Sequence, residues 1–197
     1  MSDKYQNRAP LDEIARLFDA QPDTPHLADG EVEPGDTGLV VRMGGARMMV
    51  SAMRWGFPLH PGKAALARHP KAKLKPVTKA KGLTRHFWKD FAADPAHRCL
   101  IPVERFVERP AAMGKDAPIW FSLPDQPIFA WAGLWRTSPE WGDVYSCVMT
   151  EAAGPITHIH DRMPVILKPQ DWHRWLHGSF DDVLDLQRPY DGVMTGS

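Results

Sequence analysis

The segment "THIHDRMPVIL" at 157–167 crowds titratable side chains, His158, His160, Asp161 and Arg162, immediately before an apolar run. Such a junction lets a fold hold a polar side chain rigidly at the mouth of a cavity. In an extended segment His158 and His160 face the same side, which raises the question of a metal. A lone HxH with no third ligand nearby is weak evidence, so neither a metal nor a cofactor is expected. "PVERFVERP" at 102–110 sets Glu104 and Glu108 beside Arg105 and Arg109. Surface ion pairs account for three of the four, while a glutamate closing a strand before Pro110 also has the position of a proton-transfer group.

Charge supplies a second kind of chemistry. The 24 Lys and Arg balance the 24 Asp and Glu, yet residues 37–89 contain no acid at all and carry half of the cations. The densest part is "KPVTKAKGLTRHFWK" at 75–89, and the wider stretch is interleaved with Trp55, Phe57, His60, His69, His86, Phe87 and Trp88. Cations that neutralise phosphates beside flat rings that stack on unpaired bases make a single-strand binding groove. The competing reading is a solvated lysine-rich loop over an aromatic core. Trp55 has both readings, base platform and core ring, and is taken as groove-lining; Trp88 is taken as core. Arg162 either meets a phosphate or pairs with Asp161 or Glu108.

These groups need a scaffold. With 197 residues, 43% of them hydrophobic, and eight Trp, the chain can bury a full core within one domain, 1–197. No apolar run is long enough to cross a bilayer and "MSDKYQNRAP" has no apolar signal core, so a soluble intracellular protein is expected. Cys99 and Cys147 lie in strand-like runs and read as two reduced core thiols. "APLDEIARLF" predicts a helix, and "DAQPDTPHLADGEVEPGDTG" at 19–38 predicts a surface linker without regular structure. "LVVRM", Gly44-Gly45 and "ARMMVSAMRWGF" predict a hairpin, followed by a basic loop over 58–83 and a short helix "RHFWKDFA" capped by Thr84. From Arg98 onward "RCLIPV", "RFVE", "IWFSL", "IFAWAGLW" and "VYSCVMT" predict a curved, mainly antiparallel sheet, and "KPQDWHRWL" and "SFDDVLDL" predict two late helices. The class is α+β, a single domain with a curved sheet core and short peripheral helices.

In order along the chain, "MRWGF" at 53–57, "RCLIPVERFVE" at 98–108, "IFAWAGLW" at 128–135, "IHDRMPVIL" at 159–167 and "DWHRWL" at 171–176 resemble the SOS response-associated peptidase (SRAP) family. The resemblance covers nearly the whole chain, and the first two motifs combined with "IHDRMPVIL" are highly specific. It implies a positively charged groove for single-stranded DNA and a site that recognises an abasic sugar. In that family a Cys exposed by removal of the initiator Met traps the ring-opened aldehyde as a thiazolidine, a DNA–protein cross-link. The resemblance assigns Glu108 to proton transfer near the amine and His160 to opening of the sugar ring. Arg54, Trp55, Lys79, Lys81, Arg85 and Arg162 are the residues expected along the DNA.

Two positions depart from the pattern. Ser2 stands where the family has its Cys, with Tyr5 retained three residues on, and Lys79 and Lys81 fall on the Asn and Arg of the family's Asn-x-Arg segment. An α-amine with a pKa near ~8 is partly neutral at physiological pH and forms an imine with an aldehyde. A thiol then closes a durable ring, whereas the hydroxyl of Ser2 would close an oxazolidine that hydrolyses readily. Stable cross-linking is therefore not expected, and reversible imine or lyase chemistry is what remains. Lys79, crowded by like charge and partly buried, is a second Schiff-base candidate. The alternative is a non-catalytic single-strand DNA-binding module of phage or mobile-element origin. A third idea takes the peptidase name literally, with Ser2 as an amino-terminal hydroxyl nucleophile that releases Met1. The expected setting is a monomer in the bacterial cytoplasm, associated with the nucleoid.

Overall fold

The computed structural model describes residues 3–25, 30–69, 71, 73–110 and 118–197. Strand β1 (Tyr5–Gln6) leads into helix α1 (Leu11–Leu17), where Pro10 takes the cap position and Ile14 and Ala15 turn inward. The stretch expected to be irregular over 19–38 instead contributes β2 (Gln21–Pro22) and β3 (Glu31–Val32), because β5 and β1 offer it free edges. The predicted hairpin is β4 (Thr37–Gly44) and β5 (Arg47–Trp55), with Gly44 opposite Arg47 and Gly45 at φ 75° in the turn, where a side chain is disfavoured. The basic region is not a bare loop either. It holds β6 (Phe57–Leu59), α2 (Lys63–Arg68), β7 (Lys75–Val77) and β8 (Lys79–Ala80). Helix α3 (His86–Ala93) begins after Arg85 in extended conformation, with no side-chain cap bond, so Thr84 does not cap it.

The apolar runs after Arg98 become β9 (Arg98–Val103), β10 (Arg105–Glu108), β11 (Ile119–Ser122), β12 (Phe129–Ser138) and β13 (Gly142–Glu151). Short strands β14 (Arg162–Pro164) and β15 (Ile166–Leu167) precede helices α4 (Trp172–His177) and α5 (Phe180–Leu186), and β16 (Thr195–Gly196) ends the order. Ser179 caps α5 by accepting from the Asp182 N–H while the Asp182 carboxylate accepts from the Ser179 N–H, a reciprocal capping box.

The main sheet closes on itself. Antiparallel pairings run β13 to β12 to β9 to β4 to β5, and β5 then pairs in parallel with β13 through Arg54–Val144 and Trp55–Tyr145. A second sheet, ordered β16-β11-β10-β1-β3, lies against it. Successive residues on a strand point to opposite faces, so neighbours part company. Val41, Leu100, Val144 and Val148 join Ile14, Phe18, Trp88, Trp175 and Val183 of the helices in one core cluster. Val40, Ile101, Tyr145 and Cys147 join Tyr5, Phe106 and Phe121 of the second sheet in the other. Trp88 is therefore core, as read from the sequence, and both cysteines are buried free thiols. No helix among the described residues is long and apolar enough to cross a membrane.

Candidate functional site

One strand edge collects three of the sequence motifs. With β12 along one side, β13 receives along the other β5 at Val144 and Tyr145, β8 at Cys147 and Val148, and β14 from Met149 to Glu151. "MRWGF", the basic run and "IHDRMP" are thus laid end to end. Cross-strand partners share a face. Trp55 opposite Tyr145, Lys79 opposite Cys147 and Arg162 opposite Glu151 accordingly share one face, while Arg54, opposite Val144, is on the other.

Lys79 is held by unusually dense anchoring for a two-residue strand. The Thr78 carbonyl accepts from the Cys147 N–H at 2.9 Å, from the Trp55 indole Nε1 at 3.2 Å and from the Cys147 Sγ at 3.3 Å, and the Val77 carbonyl accepts from the Ser146 hydroxyl. These bonds fix the backbone on both sides of the lysine's Cα and leave its half-buried side chain directed from the Cys147 face. Burial lowers the Lys79 pKa below the ordinary lysine value and the nearby Lys81 charge lowers it further, opposed by Cys147 where it is ionised and by the Glu108 and Asp3 carboxylates. Cys147 is no rival nucleophile: burial first of all raises its pKa to about 12, so it stays a thiol.

The carboxylates come from the second sheet. Glu108 is fully buried at the end of β10, opposite Ile119. Tyr5 pairs with Phe106 and Gln6 with Arg105, and the Val107 N–H donates to the Lys4 carbonyl at 3.0 Å. Continuing that antiparallel register carries Asp3 to Glu108, and Asp3 also meets Arg109 at 3.6 Å. The amino-terminal strand is thus carried to Glu108, and with the Tyr5 hydroxyl 2.5 Å from that of Tyr145 on β13, Asp3 and Glu108 both act on Lys79 through their charge. Ser2 and Met1 lie outside the described residues.

Two candidates sit further along the edge. Arg162 is opposite Glu151, four residues beyond Cys147, which is about 13 Å at strand rise. His160 Nδ1 lies 3.0 Å from the Arg162 N–H, from which it can accept, and 3.2 Å from the Arg162 carbonyl, to which it can donate, so its bonding follows the tautomer. The same Nδ1 is 3.0 Å from the Asp161 carboxylate. His158 ends a 3-10 turn, Gly154–His158, so the two histidines do not form the extended pair considered above. Among the described residues no three His, Cys, Asp or Glu gather as a metal would need.

Arg54 and Trp55 differ most from expectation. Trp55 is fully buried, stacked on Tyr145 with centroids 6.4 Å apart and edge-on to Tyr5 at 5.3 Å. It is a core ring and cannot serve as a base platform. Arg54 stacks over Trp141 at 4.3 Å in a depression shared with Gly35, Thr37 and Asp143, away from Lys79. Arg42, counted in the basic run, meets Asp23 at 3.3 Å and covers Trp135. Lys75, Lys81, Arg85 and Lys89 are exposed.

A family model described as SOS response associated peptidase (SRAP) matches residues 1–195. The chain belongs to the SRAP family. Among curated SRAP relatives, the abasic site processing protein YoqW of Bacillus subtilis is 36% identical over 103 residues. That match spans about half of each protein, 48% of this chain and 46% of YoqW. The abasic site processing proteins YoaM and YobE of the same organism are 26% and 27% identical, with 97% of this chain matched to 87% and 90% of theirs. Two crystal structures share the fold at TM-score 0.78: one of a protein from Bordetella bronchiseptica, 23% identical with 99% of each chain covered, and one from Bacteroides thetaiotaomicron, 18% identical with 98% of this chain and 90% of that one covered.

Within this SRAP fold, sequence reasoning missed Asp3 and Gly38. Asp3 has no local motif; only the pairing of β1 with β10 brings it to Lys79. Gly38 was invisible because its role is to leave room, its hypothetical Cβ falling 2.2 Å from both the Tyr5 and the Tyr145 hydroxyl.

Proposed function

We propose that this SRAP protein binds single-stranded DNA at abasic sites and engages the ring-opened sugar reversibly, without leaving a lasting cross-link. The observation that carries the reading is the convergence of a half-buried amine, Lys79, with the buried Glu108 carboxylate at the end of the amino-terminal strand. An amine beside a proton-transfer group is what aldehyde capture requires. The abasic-site names of YoqW, YoaM and YobE support the substrate class. The exposed Lys81 and Arg85, next in sequence to Lys79, supply charge for the phosphates on either side. Ser2 in place of a cysteine removes the thiol that would make capture permanent. On this reading the chain works as a single-domain monomer in the bacterial cytoplasm and needs no metal or cofactor.

The test is equilibrium binding of three labelled oligonucleotides, single-stranded abasic, single-stranded intact and duplex, from 50 to 200 mM salt. The abasic single strand is expected to bind tightest, with log affinity falling by about 0.7 per phosphate neutralised per decade of salt. Equal affinity for intact and abasic strands would instead favour a binding module that has lost the reaction. Preference for the duplex would overturn both readings.

A further inference from the structure

We propose that Lys79 is the amine that attacks the abasic aldehyde in this protein, in place of an amino-terminal amine, with Glu108 as its proton-transfer partner. The inference rests on the abasic-site reading above and deepens it. Three features carry it. The Thr78 carbonyl, gripped from Trp55 and Cys147, pre-orients the lysine, so little freedom is lost on attack. The second sheet meets β13 through the Tyr5 and Tyr145 hydroxyls, 2.5 Å apart, and its fully buried Glu108 carboxylate and Asp3 are among the charges that act on Lys79. Lys79 is also an amine whatever happens at the chain's start, whereas the nitrogen of Ser2 is locked in a peptide bond as long as Met1 remains.

The chemistry balances without an oxidant or reductant. The Glu108 carboxylate first takes a proton from the Lys79 ammonium, the freed Nζ lone pair adds to C1′ of the ring-opened deoxyribose, and the carbinolamine loses water as the Glu108 carboxylic acid so formed protonates the departing hydroxyl. The product is a protonated imine, with Glu108 now a carboxylate. That carboxylate removes a C2′ proton, the C3′–O bond breaks, and the phosphate leaves on the 5′ end of the downstream fragment. Water then hydrolyses the imine and restores Lys79. A partly buried amine is neutral over a wider pH range than a solvated lysine, which favours the first step near neutrality.

The experiment incubates the full chain with a single-stranded oligonucleotide carrying one abasic site, reduces with borohydride and maps the adduct by mass spectrometry. The adduct is expected on the peptide containing Lys79. Lys79→Arg, and Lys79→Gln as a second variant, should lower its yield by about tenfold or more when the yield is expressed per amount of abasic strand bound before borohydride is added. Yield in the parent should rise with pH and level off below the ordinary lysine range, because burial lowers the Lys79 midpoint, with Lys81 adding to that shift and Cys147, Glu108 and Asp3 opposing it. An adduct on the amino-terminal residue or on Lys81, or undiminished yield in both variants, would overturn the assignment. So would the absence of any adduct from an abasic strand that still binds preferentially, which leaves the abasic-site reading intact. Absence of any abasic preference in binding would overturn that reading and this inference together.

Discussion

Replacing Arg98 with methionine lowers the stability of the fold by about 3–5 kcal/mol, the range seen when a buried charged network loses one partner. Arg98 is 1% exposed and among the described residues its guanidinium bonds to carbonyls and to no carboxylate, with Asp94 and Asp182 acting on it only through their charge. Its Nε donates to Ala92 O at 2.8 Å, Nη2 to Ala93 O at 3.0 Å, and Nη1 to Trp175 O at 3.1 Å and Gly178 O at 2.7 Å. Those carbonyls belong to the last turns of α3 and α4, where no intrahelical donor remains and the helix dipole is negative. One side chain at the head of β9 thus ties two helix ends to the sheet. Methionine fills the volume and strands the carbonyls in a dry environment. Lysine keeps the charge but lacks the planar fork, so Arg98→Lys should fall between methionine and the parent. Urea unfolding of the three proteins measures this, and a loss under about 1 kcal/mol for Arg98→Met would contradict the role given to Arg98.

Gly38→Ala has the second large effect, and it reaches the site. The Tyr5 and Tyr145 hydroxyls meet at 2.5 Å, and a Cβ on residue 38 would stand 2.2 Å from each. No real contact is that short, so one tyrosine must move. Both rings are packed: Tyr5 lies edge-on to Trp55 and Trp131, each at 5.3 Å, and Tyr145 stacks on Trp55. Overpacking of this kind costs about 1–3 kcal/mol. Tyr5 belongs to β1, the strand that carries Asp3 to Lys79, so displacing it also disturbs the candidate site. The expected result is lower stability together with loss of preference for abasic strands. Combining Gly38→Ala with Tyr5→Phe and Tyr145→Phe removes both clashing oxygens and should recover much of each. A Gly38→Ala protein with parental stability and binding would show that the paired hydroxyls do not hold β1 in place.

The parts legible in the sequence are those with local causes. Alternation and turn glycines mark the hairpin of β4 and β5, and "RCLIPV" marks β9 to the residue, because period and turn chemistry act over a few positions. Closure of the sheet was not legible, since the pairing of Trp55 with Tyr145 joins segments far apart in the chain. The same gap explains Trp55. A tryptophan at a strand end beside arginines looks alike locally whether it faces DNA or the core, and only its non-local partner decides. The lysine-rich stretch read as a basic loop without strands for a related reason: charge density obscured Val77 and Thr78, whose carbonyls Ser146, Cys147 and Trp55 anchor. The chemistry at Glu108 and Lys79 was visible as residue types, but their convergence depends on the second sheet meeting the β13 edge.

The most direct measurement is a denaturing gel of the parent protein after incubation with a single-stranded oligonucleotide bearing one abasic site, with and without borohydride, beside an intact strand. Reversible capture predicts a slower band with borohydride only, from the abasic strand only. A band that survives denaturation without borohydride would contradict the claim that capture is transient. No band under either condition, from an abasic strand shown to be bound on a native gel, would contradict capture itself.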